Sequence, residues 1–138
     1  MNDTGAAKPA VSFWIVAGLG MVWNCFGAYL YTMYSLGDPA TVASGTPAMQ
    51  AYSANQPLWA YTGWALGIWG SLLGSVLMLL RLRHAVSAFL VSLAGALVSF
   101  AAQAMAGVLD PPITVTVVVV IVFLWWFSKR AAAAGTLR

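Results

Sequence analysis

Every lysine and arginine of this 138-residue chain lies to one side of four long apolar stretches. Lys8 precedes the first stretch, Arg81 and Arg83 separate the second from the third, and Lys129, Arg130 and Arg138 follow the fourth. The two connections on the other side carry only Asp38 and Asp110. Cationic flanks stay in the cytoplasm when a polytopic chain inserts, so this pattern predicts an even number of crossings. The expected fold is an all-α membrane protein, a four-transmembrane-helix bundle with both termini cytoplasmic, in a bacterial inner membrane.

Composition supports the same conclusion. Hydrophobic residues make up 62% of the chain and charged residues 7%, against about 25% charged in a soluble domain, so a water-facing surface could not be covered. Four spans of about 20 residues use nearly the whole length and leave no room for an extramembrane domain. The net charge of +3 sits beside helix ends, where it meets anionic headgroups and gives no reason to expect a nucleic-acid partner. A single cysteine, Cys25, rules out an intrachain disulfide. Lys8 and the apolar run after it resemble the start of a signal peptide. The run continues without a small-residue cleavage site, so a retained span is expected.

The predicted spans cover residues 11–36, 58–80, 85–109 and 111–127, forming a single domain with a periplasmic loop over 37–57. The fourth is rich in β-branched residues, yet in hydrocarbon an isolated apolar run must satisfy its own backbone and is therefore helical. In the loop, Thr46-Pro47 reads as an N-cap followed by the first helical residue, predicting a short helix over 47–54. Tyr31, Tyr34, Trp59 and Tyr61 mark the outer interface, and Trp14, Trp125 and Trp126 the inner one.

At about 100° per residue, Gly63, Gly67, Gly70 and Gly74 share one narrow face of the second span. Such a small-residue ladder lets a neighbouring backbone approach closely, the main route to association in lipid. In the first span Phe13, Ala17, Gly20, Asn24, Gly27, Ala28, Tyr31 and Ser35 share a face, opposite Ile15, Leu19, Val22, Phe26 and Met33. In the third, Ala85, Ala88, Ser92, Ala96, Ser99, Gln103, Ala106 and Asp110 gather on one side. The fourth span has no such stripe and is expected to pack peripherally.

Candidate chemistry is sparse. Asn24 is the one amide deep in a span; it serves either as a contact for a translocated solute or, the preferred reading, as an interhelical hydrogen bond. Gln103, with Ser99 and Ser92, lines a shallow outward vestibule or bonds to backbone. Asp110 precedes Pro111 and Pro112 and reads as an N-cap at the interface, rather than a proton-coupling acid. His84 stands alone beside Arg83, which suits neither a metal nor a bis-histidine haem, so no cofactor is expected. Trp23, Trp64 and Trp69 are packing aromatics or stacking surfaces for a ring. The chain has no Glu, no phosphate loop and no nucleophile–His–Asp set, so an enzyme is not expected. Four-span multidrug exporters depend on a membrane-embedded Glu, which this chain lacks.

Trp23-Asn24, Pro57-Leu58-Trp59, the glycine ladder ending in Leu79-Leu80-Arg81-Leu82-Arg83, and Phe89-Leu90-Val91-Ser92-Leu93 carry a resemblance. Together they make the chain similar to small uncharacterised four-span bacterial inner-membrane proteins sometimes labelled "sugar transporter". The resemblance runs along most of the chain, though its motifs are packing and boundary residues. Its departure is an external loop almost free of acidic residues. Three functions follow as expectations: a non-enzymatic bundle acting through association with itself or a larger complex, a small-solute carrier using Asn24 and Gln103, and an accessory subunit. Because four short helices should enclose little space alone, the carrier is expected to be oligomeric.

Overall fold

The computed structural model describes residues 8–138. Six helices follow in order: α1 (Val11–Ser35), α2 (Pro39–Ala43), α3 (Pro47–Asn55), α4 (Leu58–Leu79), α5 (His84–Met105) and α6 (Pro111–Ala133). Of these, α1, α4, α5 and α6 are long and apolar enough to cross a membrane. At 1.5 Å per residue the shortest of them spans about 33 Å, slightly more than the roughly 30 Å of hydrocarbon. The chain is a multi-pass, all-helical membrane protein.

Around the bundle the helices follow the order α1, α4, α5, α6. The tightest contact is between α4 and α5, and the glycine ladder makes it. A Cβ placed on Gly63 would lie 3.0 Å from the Gly95 carbonyl; on Gly67, 3.3 Å from the Ala96 amide; on Gly70, 3.2 Å from Ser92 Cα; on Gly74, 2.8 Å from the Phe89 ring. The whole ladder therefore faces α5 of the same chain, and the association surface expected from it is consumed internally. Gly95 is its counterpart on α5. A Cβ there would sit 2.7 Å from the Gly63 carbonyl and 2.8 Å from the Gly67 amide.

The predicted inner face of α1 is the buried one, with Phe13, Ala17, Gly20, Asn24, Ala28 and Tyr31 inward. Ile15, Leu19, Val22 and Phe26 are exposed, as bilayer-facing residues should be. On α5 the buried set contains Ala85, Ala88, Ser92, Ala96 and Ser99 as expected, and adds Phe89, Gly95 and Ala102. α6 is the least buried of the four spans, in keeping with its lack of a small-residue stripe.

Several boundaries differ from the sequence reading. The third span was expected to reach residue 109, but α5 stops at Met105 because Gly107 adopts φ +71 and Val108 N–H returns to the Gln103 carbonyl, a helix-ending arrangement that favours glycine. The fourth was expected to end at 127, where the apolar run stops, yet α6 continues to Ala133. Hydropathy marks the edge of the lipid, not of the helix. In that extra turn and a half Lys129 lies over the Trp125 ring at 5.0 Å and Arg130 over Trp126 at 5.1 Å, so both cations bind aromatic faces one turn back. The loop holds two helices rather than one. α3 begins at Pro47 with Thr46 as its cap, as predicted, and α2 has the same design, with Asp38 accepting from the Thr41 amide at 2.9 Å and from its hydroxyl at 2.8 Å. Those two bonds hold the Asp38 carboxyl below its usual range.

The end of the bundle that carries the cations is closed. Phe13, Ala17, Met78, Ala85, Phe89, Leu124, Ala131 and Leu137 form a continuous buried cluster. Beneath it the tail docks on the α4–α5 turn: Arg138 N–H donates to the Arg81 carbonyl at 2.8 Å, and Arg83 N–H to the Arg138 carbonyl at 2.7 Å. Arg81 holds a left-handed φ of 60, costly for a side chain with a Cβ, and its Nε donates to the Thr136 carbonyl at 3.0 Å. Trp14 and Trp126 are exposed near this end and Trp59 at the other, as interfacial residues should be. Trp125 differs, since it packs against the buried cluster with its indole N–H shielded from solvent.

Candidate solute cavity

The loop-side half of the bundle is hollow. A cavity of about 470 Å³ lies between the four spans and beneath α2 and α3, inside the roughly 300–1,000 Å³ range of ligand pockets. The four spans and the two loop helices of one chain thus border a partly open concavity of that size. Thr41 of α2, Ser44 at its end, and Met49, Tyr52 and Ser53 of α3 complete a wall that the spans leave open.

Asn24 forms part of the floor and is fully engaged with α4. Its Nδ2 donates to Ser75 Oγ at 2.7 Å and to the Ser71 carbonyl at 3.1 Å, while Ser71 Oγ donates to its Oδ1 at 2.8 Å. Both donors of an asparagine amide are thus spent, leaving one acceptor lone pair. Asn24 is an interhelical bond, as preferred from the sequence, and at most a minor solute contact. Its partners Ser71 and Ser75 were missed. They are buried one turn apart on α4, and the signal available was their place beside Gly67 and Gly74.

Ser92 does not line the cavity. Its hydroxyl donates to the Gly67 carbonyl at 2.6 Å, the backbone alternative, which locks α5 to α4 beside the glycine crossing. Ser99 and Gln103, about two and three turns nearer the loop, do line the cavity, and neither side chain makes a hydrogen bond with the described residues.

The aromatic wall is built from Trp23, Tyr31, Tyr34, Trp64 and Phe100. Tyr31 and Trp64 meet edge to face at 4.6 Å, Tyr34 and Trp64 at 5.7 Å, which fixes the ring orientations. Of the tryptophans considered as stacking surfaces, Trp23 and Trp64 face the cavity. Trp69 is 45% exposed and does not line it. Asp110 stands at the rim, and its carboxylate accepts from Ile113 N–H at 3.2 Å, the capping role read from the sequence.

One lining residue carried no sequence signal at all. Tyr52, on α3, has its hydroxyl buried with no hydrogen-bond partner among the described residues. Burial pushes the phenol pKa upward, so it remains a neutral donor. A buried hydroxyl left unmatched costs about 1–3 kcal/mol, and a ligand in the cavity would relieve that cost.

No known protein family, curated protein or solved structure matches this chain. The fold and the cavity's own chemistry are therefore the grounds for a functional reading. The lining is mostly apolar, with Leu30, Ile68, Val117 and Ile121 beside the aromatic rings, and carries a few amides and hydroxyls and one carboxylate already committed to a helix end.

Proposed function

We propose that the protein is a non-enzymatic carrier for a small uncharged solute, which it receives in the loop-side cavity. The observation that carries this reading is the pairing of two unengaged polar side chains, Ser99 and Gln103, with an aromatic wall inside a partly open cavity. Amides and hydroxyls can orient a neutral solute through hydrogen bonds, and rings can cover its apolar faces. A formal charge would find no compensating cation there, and burying it unpaired is prohibitive. The lining holds nothing suited to nucleophilic or acid–base chemistry beyond Asp110, which is occupied as a cap.

The closed cationic end supports a carrier over a pore, because a pore would need a path through the packed cluster around Phe89 and Met78. In our reading that end is cytoplasmic, as are both termini, in a bacterial inner membrane, and the cavity opens to the periplasm. The resemblance to proteins labelled "sugar transporter" points to the same class of solute. Association with another copy or a larger complex is the weaker reading, since the glycine ladder that motivated it faces α5.

Purified full-length protein in liposomes should take up or saturably bind at least one of a panel of radiolabelled monosaccharides, polyols and their uncharged monoacyl derivatives. Gln103→Leu should lower that uptake by about tenfold, the scale of one or two lost hydrogen bonds, while leaving the unfolding midpoint unchanged. No uptake and no saturable binding across the panel would remove the reading.

A further inference from the structure

A second concavity adjoins the cavity from outside the bundle. Between α1 and α6 runs a groove of about 650 Å³ whose lining is entirely apolar, including Leu19, Val22, Val119 and Phe123. It exists because the two helices meet only toward the cationic end, where Phe13 and Phe127 stack at 6.2 Å and Leu124 reaches within 3.0 Å of the position of a Cβ on Gly20. Beyond that level they are not packed together. Trp23 and Phe26 belong to the walls of both the groove and the cavity, so the groove and a cavity with a few polar groups share a partition near the middle of α1. Both partition residues are substantially exposed, at 40% and 58%.

We propose that the ligand is an uncharged single-chain amphiphile drawn sideways from the bilayer, its hydroxylated head among Ser99, Gln103 and Tyr52 and its acyl chain in the α1–α6 groove. This rests on the carrier reading and names its substrate class. The orientation agrees with that of a lipid in the leaflet on the loop side, with the head near the loop helices and the chain running toward mid-membrane. The groove suits a flexible chain better than a partner helix. Its rim is bulky except at Gly20, which Leu124 already covers, whereas close helix packing wants small residues. An anionic head would meet Asp110 at the rim and no cation, which restricts the head to neutral groups. The unmatched Tyr52 hydroxyl supplies a donor that a hydroxylated head would accept.

A monoacylglycerol bearing a photoreactive diazirine in mid-chain tests this on the full-length protein in phosphatidylcholine liposomes. Adducts should concentrate on Leu19, Val22, Val119 and Phe123, saturate, and be displaced by unlabelled monooleoylglycerol but not by glycerol. Val119→Trp, at a lipid-facing position, and Gln103→Leu should each cut the labelling about tenfold, with Leu90→Trp on the opposite surface as an inert control. Labelling spread evenly over exposed positions such as Leu90 and Leu97 would overturn the inference, and sugar or polyol uptake persisting in the same liposomes would leave the carrier standing. Adducts joining two copies of the chain at the groove would assign it to another protein and likewise overturn the inference. If labelling is unsaturable and uptake is absent, both fall together.

Discussion

Gly95→Ala lowers the unfolding free energy of the bundle by about 2–3 kcal/mol, the upper part of the usual range for overpacking. The added methyl would lie 2.7 Å from the Gly63 carbonyl, 2.7 Å from Leu66 Cβ and 2.8 Å from the Gly67 amide. These are backbone atoms and a Cβ of α4, which no rotamer change can move aside, so the helices must separate along their closest contact. Separation also weakens the Ser92 bond to the Gly67 carbonyl. Gly18→Ala is the matched control. It sits within α1 with nothing near the new Cβ, and alanine exceeds glycine in helix propensity by about 0.8–1.0 kcal/mol, so this variant should be neutral or slightly more stable. Reversible denaturation in mixed micelles reads both. If Gly95→Ala proved as mild as Gly18→Ala, the α4–α5 crossing would be wrong.

Asn24→Leu is expected to cost about 2 kcal/mol. Three hydrogen bonds join Asn24 to Ser71 and Ser75, and such bonds in membrane proteins average about 0.6 kcal/mol each. The loss should be coupled, because the stranded hydroxyls carry part of it. Replacing Ser71 and Ser75 with alanine in the Asn24→Leu background should then cost less than the same replacements in the wild-type chain. Additive costs would mean that Asn24 faces something other than α4. With both amide donors already spent, Asn24→Leu should also disturb solute uptake less than Gln103→Leu does at equal fold stability.

The spans and their inward faces were legible because lipid imposes one simple constraint. A run of apolar residues must be helical, and its small or polar stripe must find a neighbour. That argument identified Phe13, Ala17, Gly20 and Asn24 on α1 and the ladder on α4, but it could not say which helix the ladder meets, since small-residue stripes on α1 and α5 are equally suitable partners. Gly95 escaped notice because it lies at the edge of the α5 stripe, between Ser92 and Ser99, and only the crossing geometry gives it meaning. α2 was readable in principle, as Asp38-Pro39 is the same cap-and-proline signal that revealed α3 and the start of α6. The cavity was not readable. It depends on α1 and α6 being apart toward the loop and on α2 and α3 covering the space between the spans, and no local pattern encodes either relation. Tyr52 was invisible for the same reason, as one aromatic in a loop whose role depends on what lies beneath it.

Site-specific labelling with a membrane-impermeant thiol reagent, in a Cys25→Ser background, tests the central claim most directly. Gln103→Cys and Ser53→Cys, both on the cavity wall, should react from the loop side of intact cells. His84→Cys, at the exposed first residue of α5, should react only after the opposite face is opened, and the fully buried Ser128→Cys from neither side. Reaction of Gln103→Cys from the same face as His84→Cys, or protection of Gln103→Cys from both, would contradict a bundle that is hollow toward its loops and sealed beneath its cations.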